Sequence, residues 1–212
     1  LAEVGKMLAP HKDYLENFKL GDKPVAFKPF TYLKLLPGAK LPHHRPRVYA
    51  AKLRKVVNEI VQDWLEQGIL EPSDADCCSR VVLVRKPNGR GYRLCADYRE
   101  INLFTEAHTI PPTLVWEDIL SQLEGKKFFT VIDFSSGYTH VAIDDPAIRD
   151  LTTIVTQDGR FRFRNLPFGL KNSGSAFIEN VRALLGDLAD LWQFVDDLLL
   201  ATATWEEHVT LV

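Results

Sequence analysis

Between Leu191 and Ala201 the only polar side chains are Gln193, Asp196 and Asp197. Two adjacent carboxylates in a run this apolar constrain the fold more than any other feature of the chain. The flanking residues are β-formers dense enough to lie against a core. A like-charged pair held near low dielectric is unfavourable unless it is protonated, solvated or neutralised by a cation. The chain therefore has to turn at the pair, with a strand on each side, WQFV before it and LLLATA after it. A solvated hairpin turn meets that demand, since Asp is a common turn residue. A bound cation meets it too.

The remaining strands and helices are marked by local pattern. From Leu53 the apolar residues Val56, Val57, Ile60, Val61, Trp64 and Leu65 recur at helical spacing, and Gly68 stops the stripe. VVLVRK and GYRLCADY flank the turn pair Asn88-Gly89, a hairpin signal with Arg85, Lys86, Arg90 and Arg93 on its arms. Pro111 and Pro112 precede a short helix over 114–123, with Glu117 and Asp118 placed to suit its N-terminal dipole. FFTVI reads as a buried strand with Asp133 at its C-terminal end, broken by Ser135-Ser136-Gly137. TTIVTQDGRFRFRNL reads as a second hairpin turning at Asp158-Gly159. Phe177, Val181, Leu184 and Leu185 form another helical stripe ended at Gly186. Residues 1–46, rich in proline, read as an extended lead-in or wrap. Strands, helices and hairpins mix without regular βαβ alternation, which predicts an α+β fold: an antiparallel sheet with helices on one face.

Composition narrows the function classes. Hydrophobic residues make up 46% and charged residues 25%, a globular balance for one large domain or two lobes sharing a core. No apolar run approaches a membrane span, and the N-terminal residues lack the blocks of a secretory signal. Cys77, Cys78 and Cys95 are odd in number and lack metal-site spacing, which predicts neither a disulfide framework nor a zinc site and fits a reducing, cytoplasmic setting. Net charge is only −2, but its distribution is uneven. Residues 79–99 hold six basic side chains against the single acid Asp97, and 40–55 hold six with no acid. Solvated charged faces would give that pattern; so would a basic groove beside an acidic centre.

If the strands bearing Asp133 and Asp196-Asp197 are neighbours, three carboxylates converge at one rim of a sheet. Hard oxygen donors without His or Cys select Mg²⁺ or Mn²⁺ over zinc. Two such ions can stabilise the attacking and leaving oxygens of an in-line phosphoryl displacement.

The order of these stretches resembles the fingers and palm of a reverse transcriptase, closest to gypsy-type long-terminal-repeat retrotransposons. GILEPSDADCCSRVVLVRKPNGRGYRLCADYREIN, FFTVIDFSSGY, LPFGLKNSGSAF, FVDD and TWEEHV stand in the family's order over roughly 45–210. The resemblance implies a right-hand polymerase arrangement: 1–46 as lead-in, 47–112 as part of the fingers, and 113–212 as an antiparallel palm sheet backed by helices. A fingers hairpin is inserted near 150–165. It implies RNA- or DNA-templated DNA synthesis on a primer 3′-OH, with dNTPs as substrates and two Mg²⁺ ions held by Asp133, Asp196, Asp197 and the Phe134 carbonyl. Lys86 and Arg93 would grip the nucleotide phosphates. Tyr138 would exclude a ribose 2′-OH, and Phe168 would touch the nucleotide sugar. Gly169, Asp97, Arg99 and Val195 match positions near template and primer.

Three departures stand out: Phe194 where relatives carry Tyr, Gly174 where proline is usual, and Thr139-His140 for the commoner His-Gln. The family's thumb, connection and RNase H regions have no counterpart in this sequence, which implies association with them in a polyprotein, in the cytoplasm or inside virus-like particles. Two other readings remain: a non-enzymatic module binding nucleic acid or protein through its basic hairpin, and another palm-fold enzyme such as a nucleotide cyclase. Retention of all three aspartates weighs against the first, and the Asn-Gly hairpin with LPFG against the second.

Overall fold

The computed structural model describes residues 27–212 except 88, 90, 109–115, 135–136, 187, 189 and 195. In chain order its elements are α1 (Ala51–Glu66), β1 (Leu70–Pro72), β2 (Ser79–Arg85), β3 (Tyr92–Ala96), α2 (Arg99–Leu103) and α3 (Trp116–Gln122). They continue with β4 (Phe128–Asp133), a 3₁₀ turn (Gly137–His140), α4 (Pro146–Leu151), β5 (Ile154–Thr156) and β6 (Gly159–Phe163). The last are α5 (Ser173–Leu185), β7 (Leu191–Phe194), β8 (Asp197–Thr202) and α6 (Trp205–Leu211). Among the described residues no helix is long and apolar enough to cross a membrane.

Helix α1 follows the stripe expected of it, burying Val57 and Val61. Its end is a Schellman motif: the Ile69 amide donates to the Trp64 carbonyl at 2.9 Å and the Gly68 amide to that of Leu65 at 3.1 Å. That geometry needs a left-handed residue, which Gly68 supplies at φ +69. The chain then feeds directly into β1.

Five strands form one sheet in the order β1-β6-β5-β2-β3. All pairs are antiparallel except β2 with β5, where Ser79 faces Ile154 and Arg80 faces Val155. The β5–β6 hairpin turns one residue earlier than the Asp158-Gly159 expectation, because Gly159 already opens β6 opposite Thr156. Glu71 of β1 lies among three cations, Arg162 at 2.7 Å, Arg149 at 3.5 Å and Arg164 at 3.7 Å, and Arg162 also reaches Asp150 at 2.6 Å. This network ties β1 and β6 to α4.

The second sheet is antiparallel, in the order β4-β8-β7. Its middle strand β8 carries Leu198, Leu199, Leu200 and Ala201 in succession, apolar on both faces of the pleat, and so needs cover on both. Leu198 joins the main core, which holds Phe177 and Val181 of α5. On that same face the hydroxyls of Thr130 and Thr202 hold the buried His208 ring of α6 at 2.7 and 3.1 Å. The opposite face packs Leu199, Ala201 and Trp192 against Ile119 of α3. Helices therefore flank this sheet on two sides, not the single side expected from the sequence.

Residues 27–50 run as an extended strap. Phe30 and Leu33 anchor it in the main core, the Tyr32 hydroxyl donates to Glu179 at 2.5 Å, and the Asn180 side chain bonds both the amide and the carbonyl of Lys28. One expectation for α5 fails: Leu184 is 45% exposed. The helix buries its N-terminal half, from Ser173 to Val181, while its last turn reaches the surface.

Candidate active site

Strand β4 ends at Asp133 and β8 begins at Asp197, and the antiparallel register sets these two residues directly opposite one another. Cross-strand partners place their β-carbons about 4.5–5.5 Å apart, close enough for two like charges to oppose pairing. Phe194, the last residue of β7, faces Asp197 from the other side. Asp197 is thus a strand residue rather than a turn residue, while Asp196 precedes it in the turn. Val195, expected near the primer, lies outside the described residues. Asp133, Asp196 and Asp197 are all exposed. Asp133 and Asp197 both stand at strand ends, but the buried strand expected of FFTVI is not found. Phe129, Val131 and Ile132 are exposed, because β4 is the edge of its sheet and it is Phe128 and Thr130 that meet α6.

Asp196 is tied to the next part of the site through Tyr138. Burial, with the nearby Asp196 carboxylate second, pushes the Tyr138 hydroxyl above its ordinary value. The Tyr138 ring stacks on Phe177 at 5.0 Å between centroids and lies 4.8 Å from the ring of Phe168, itself 58% exposed. Phe134 meets Phe177 edge-on at 5.3 Å. Phe177, fully buried, is therefore a shared floor beneath Tyr138 and Phe134, a role that its place in an apolar stripe did not reveal.

Gly137 is held just as tightly. A β-carbon there would come within 2.6 Å of the Phe177 ring and 2.9 Å of the Phe134 side chain. Gly137→Ala is expected to cost about 1–3 kcal/mol by overpacking, seen as a Tm lower by roughly 2–10 °C in thermal melts. A wild-type melt would mean that Phe177 yields freely and is no floor.

Gly169 follows Phe168 with φ +94, and a β-carbon there would sit 3.8 Å from the Ala96 carbonyl oxygen and from the Tyr98 ring. That proximity sets the Phe168–Gly169 turn against the segment bearing Asp97 and Arg99. These two form a fork, with both Arg99 nitrogens 2.7 Å from the carboxylate, and the guanidinium holds the Asp97 carboxyl below its usual range. Lys86 and Arg93 stand apart from the aspartates, exposed on the β2–β3 hairpin of the other sheet. There the Lys86 amide bonds the Gly91 carbonyl at 3.2 Å, and Gly89 turns the chain at φ +69.

The oxygen-only donor set at the Asp133–Asp197 rim suits a hard divalent cation. Among the described residues no group of three or more His, Cys, Asp and Glu side chains is placed so that it could hold a metal ion. The fit rests on donor chemistry and strand register.

The family model described as "Reverse transcriptase (RNA-dependent DNA polymerase)" matches residues 84–212. The retrovirus-related Pol polyprotein from transposon 412 of Drosophila melanogaster is 29% identical over 210 residues, covering 93% of this chain and 16% of its own. The chain thus spans a small part of that relative's length. Prototype foamy virus protease-reverse transcriptase superposes over 99% of this chain and 28% of its own, with a TM-score of 0.82 at 23% identity. A foamy viral protease-reverse transcriptase structure in complex with RNA/DNA hybrid gives a TM-score of 0.78 at 22% identity, over 99% of this chain and 28% of that one. The fold is that of a right-hand polymerase. With more than half of its residues matched by that family model, the chain belongs to the reverse transcriptase (RNA-dependent DNA polymerase) family.

Proposed function

We propose that this chain is the fingers and palm of a reverse transcriptase that adds dNTPs to a primer 3′-OH on an RNA or DNA template. The observation that carries this reading is the register of Asp133 opposite Asp197, with Asp196 next to it in the chain. The lobes are 47–112 with the hairpin near 150–165 as fingers, and 113–212 as palm. Pairing of β5 and β6 within the sheet that holds β2 and β3 supports that division. In the reaction the primer 3′-oxygen loses its proton and bonds to the α-phosphorus of the nucleotide, and the bond to the β-phosphate breaks to release pyrophosphate. Asp133, Asp196, Asp197 and the Phe134 carbonyl would hold two Mg²⁺ ions, which when bound offset charge on the attacking and leaving oxygens.

The other residues act by contact and position. Lys86 and Arg93 carry exposed positive charge suited to a triphosphate, Lys as a point charge and Arg as a fork. Tyr138 is braced from beneath by Phe177, so its ring can occupy the volume that a 2′-OH would need. Phe168 and Gly169 face the sugar and the templating pair, and Val195, Asp97 and Arg99 lie toward template and primer. The RNA/DNA hybrid bound by the foamy viral enzyme supports a duplex partner of the same class. Thumb, connection and RNase H regions of a polyprotein are the proposed protein partners. The free cysteines support a cytoplasmic setting, bare or inside virus-like particles.

The test is primer extension in Mg²⁺ on RNA and DNA templates, limited to one encounter by a trap, at two salt concentrations. Short products that shorten further at high salt are expected, because counterion release drives the duplex onto the basic hairpin. No extension on either template contradicts the proposal. Lys86→Ala is expected to raise the nucleotide KM about tenfold or more with little change in duplex affinity. The reverse pattern would place Lys86 on the duplex.

A further inference from the structure

Asn102 has no part in the site as read so far. It lies in α2, three residues beyond Arg99, and its side chain is bonded at both ends. The Nδ2 donates to the Gly169 carbonyl at 2.8 Å, and the Oδ1 accepts from the Lys171 amide at 2.8 Å. The two partners fix the orientation of the amide, since a carbonyl only accepts and a backbone N–H only donates. Asn102 therefore supplies both hydrogen bonds that secondary structure would otherwise supply to a turn lying between β6 and α5. The Lys171 ammonium adds a bond from the same turn to the Thr105 carbonyl at 2.8 Å.

That turn carries Phe168 beside Tyr138, and Gly169 in a left-handed conformation against Ala96 and Tyr98. We infer that Asn102 is a positioning residue for nucleotide selection: it clamps the Phe168–Gly169 turn to the Asp97–Arg99 segment, fixing the sugar-facing and template-facing sides of the pocket relative to one another. The inference rests on the polymerase reading for its kinetic consequence, while the clamp itself is a property of the fold. Aspartate keeps the acceptor for Lys171 but turns the donor to Gly169 into a repelling oxygen, and alanine loses both.

The experiment compares wild type with Asn102→Ala and Asn102→Asp in two readouts. The first is hydrogen exchange at the Lys171 amide, followed by NMR. Asn102→Ala should speed it about tenfold or more, and Asn102→Asp should leave it near the wild-type rate. The second is single-nucleotide incorporation. Both variants should raise the nucleotide KM and the frequency of mismatched insertion about tenfold, with kcat within about threefold and Tm within about 5 °C. A purely structural role would lower Tm and leave KM and mismatch frequency alone, which overturns the inference. Unchanged Lys171 exchange in Asn102→Ala also overturns it. If wild type inserts nothing, the polymerase reading fails and the kinetic role fails with it, while the exchange data still decide whether the clamp exists.

Discussion

Asp197→Asn lowers single-nucleotide incorporation by about 10²–10³-fold or more, and Asp196→Asn does the same, while both variants melt at or slightly above the wild-type temperature. The two halves of this expectation share one cause. Asp197 is paired in register with Asp133 across β4 and β8, and Asp196 adjoins it at the hairpin tip. Without a cation, three carboxylates on one rim repel one another, so removing a charge relieves the fold. With a cation, the proposed reaction uses the same charges. Asn keeps the volume and one oxygen but has no negative charge to offer a hard ion. Rapid-quench incorporation in Mg²⁺ and thermal melts without metal separate the two effects. Substantial extension by either variant would remove these residues from the chemistry, and a large loss of Tm would make them structural.

Tyr138→Val shifts the preference for deoxyribonucleotides over ribonucleotides by about 10–100-fold toward the ribonucleotide. On the proposed reading the ring acts by occupied volume, and Phe177 stacks on it while Phe168 stands beside it. Valine leaves space where the ring was, and nothing else in the cluster can move in. Because Tyr138 is only half-buried, the stability cost is roughly 1–3 kcal/mol, less than for a fully buried ring. The measurement is the ratio of kcat/KM for the two nucleotide classes. An unchanged ratio would leave Tyr138 as a core aromatic and move the gate elsewhere. Gly174 bears on the same space, since a β-carbon there would sit 3.8 Å from the Tyr138 hydroxyl, in ordinary contact. The usual proline is therefore not excluded by Tyr138 itself.

The parts of this molecule that could be read from the sequence are those fixed by neighbours in the chain. Helix α1 announces itself by its stripe and by Gly68, and the β2–β3 hairpin by its strand-forming arms. Asp133, Asp196 and Asp197 stand out because each interrupts an apolar strand at its end. What could not be read depends on residues far apart. The parallel pairing of Ser79 with Ile154 joins segments separated by the whole second sheet's first strand, and no local period encodes it. Phe177 looks like any other inward residue of α5; only the fold brings it under Tyr138 and leaves Gly137 as the one residue small enough above it. Asn102 is a polar residue near the end of a short helix until the turn after Phe168 arrives beside it. Helical spacing also marked Leu184 as inward, yet it is exposed while its neighbour Leu185 still packs against the core. The second helical cover on the three-stranded sheet follows from the four apolar residues of β8, whose run is too short to distinguish a one-sided strand from a two-sided one.

The central claim is that the Asp133–Asp197 rim binds divalent metal for nucleotidyl transfer. Its most direct test is a Mg²⁺ titration of single-nucleotide incorporation by the metal-stripped chain, run beside Asp133→Asn. The account predicts no incorporation without metal, a rise with Mg²⁺ in the wild type, and no comparable rise in the variant at any concentration. Incorporation that persists in excess chelator, or an Asp133→Asn curve that overlays the wild type, would contradict it.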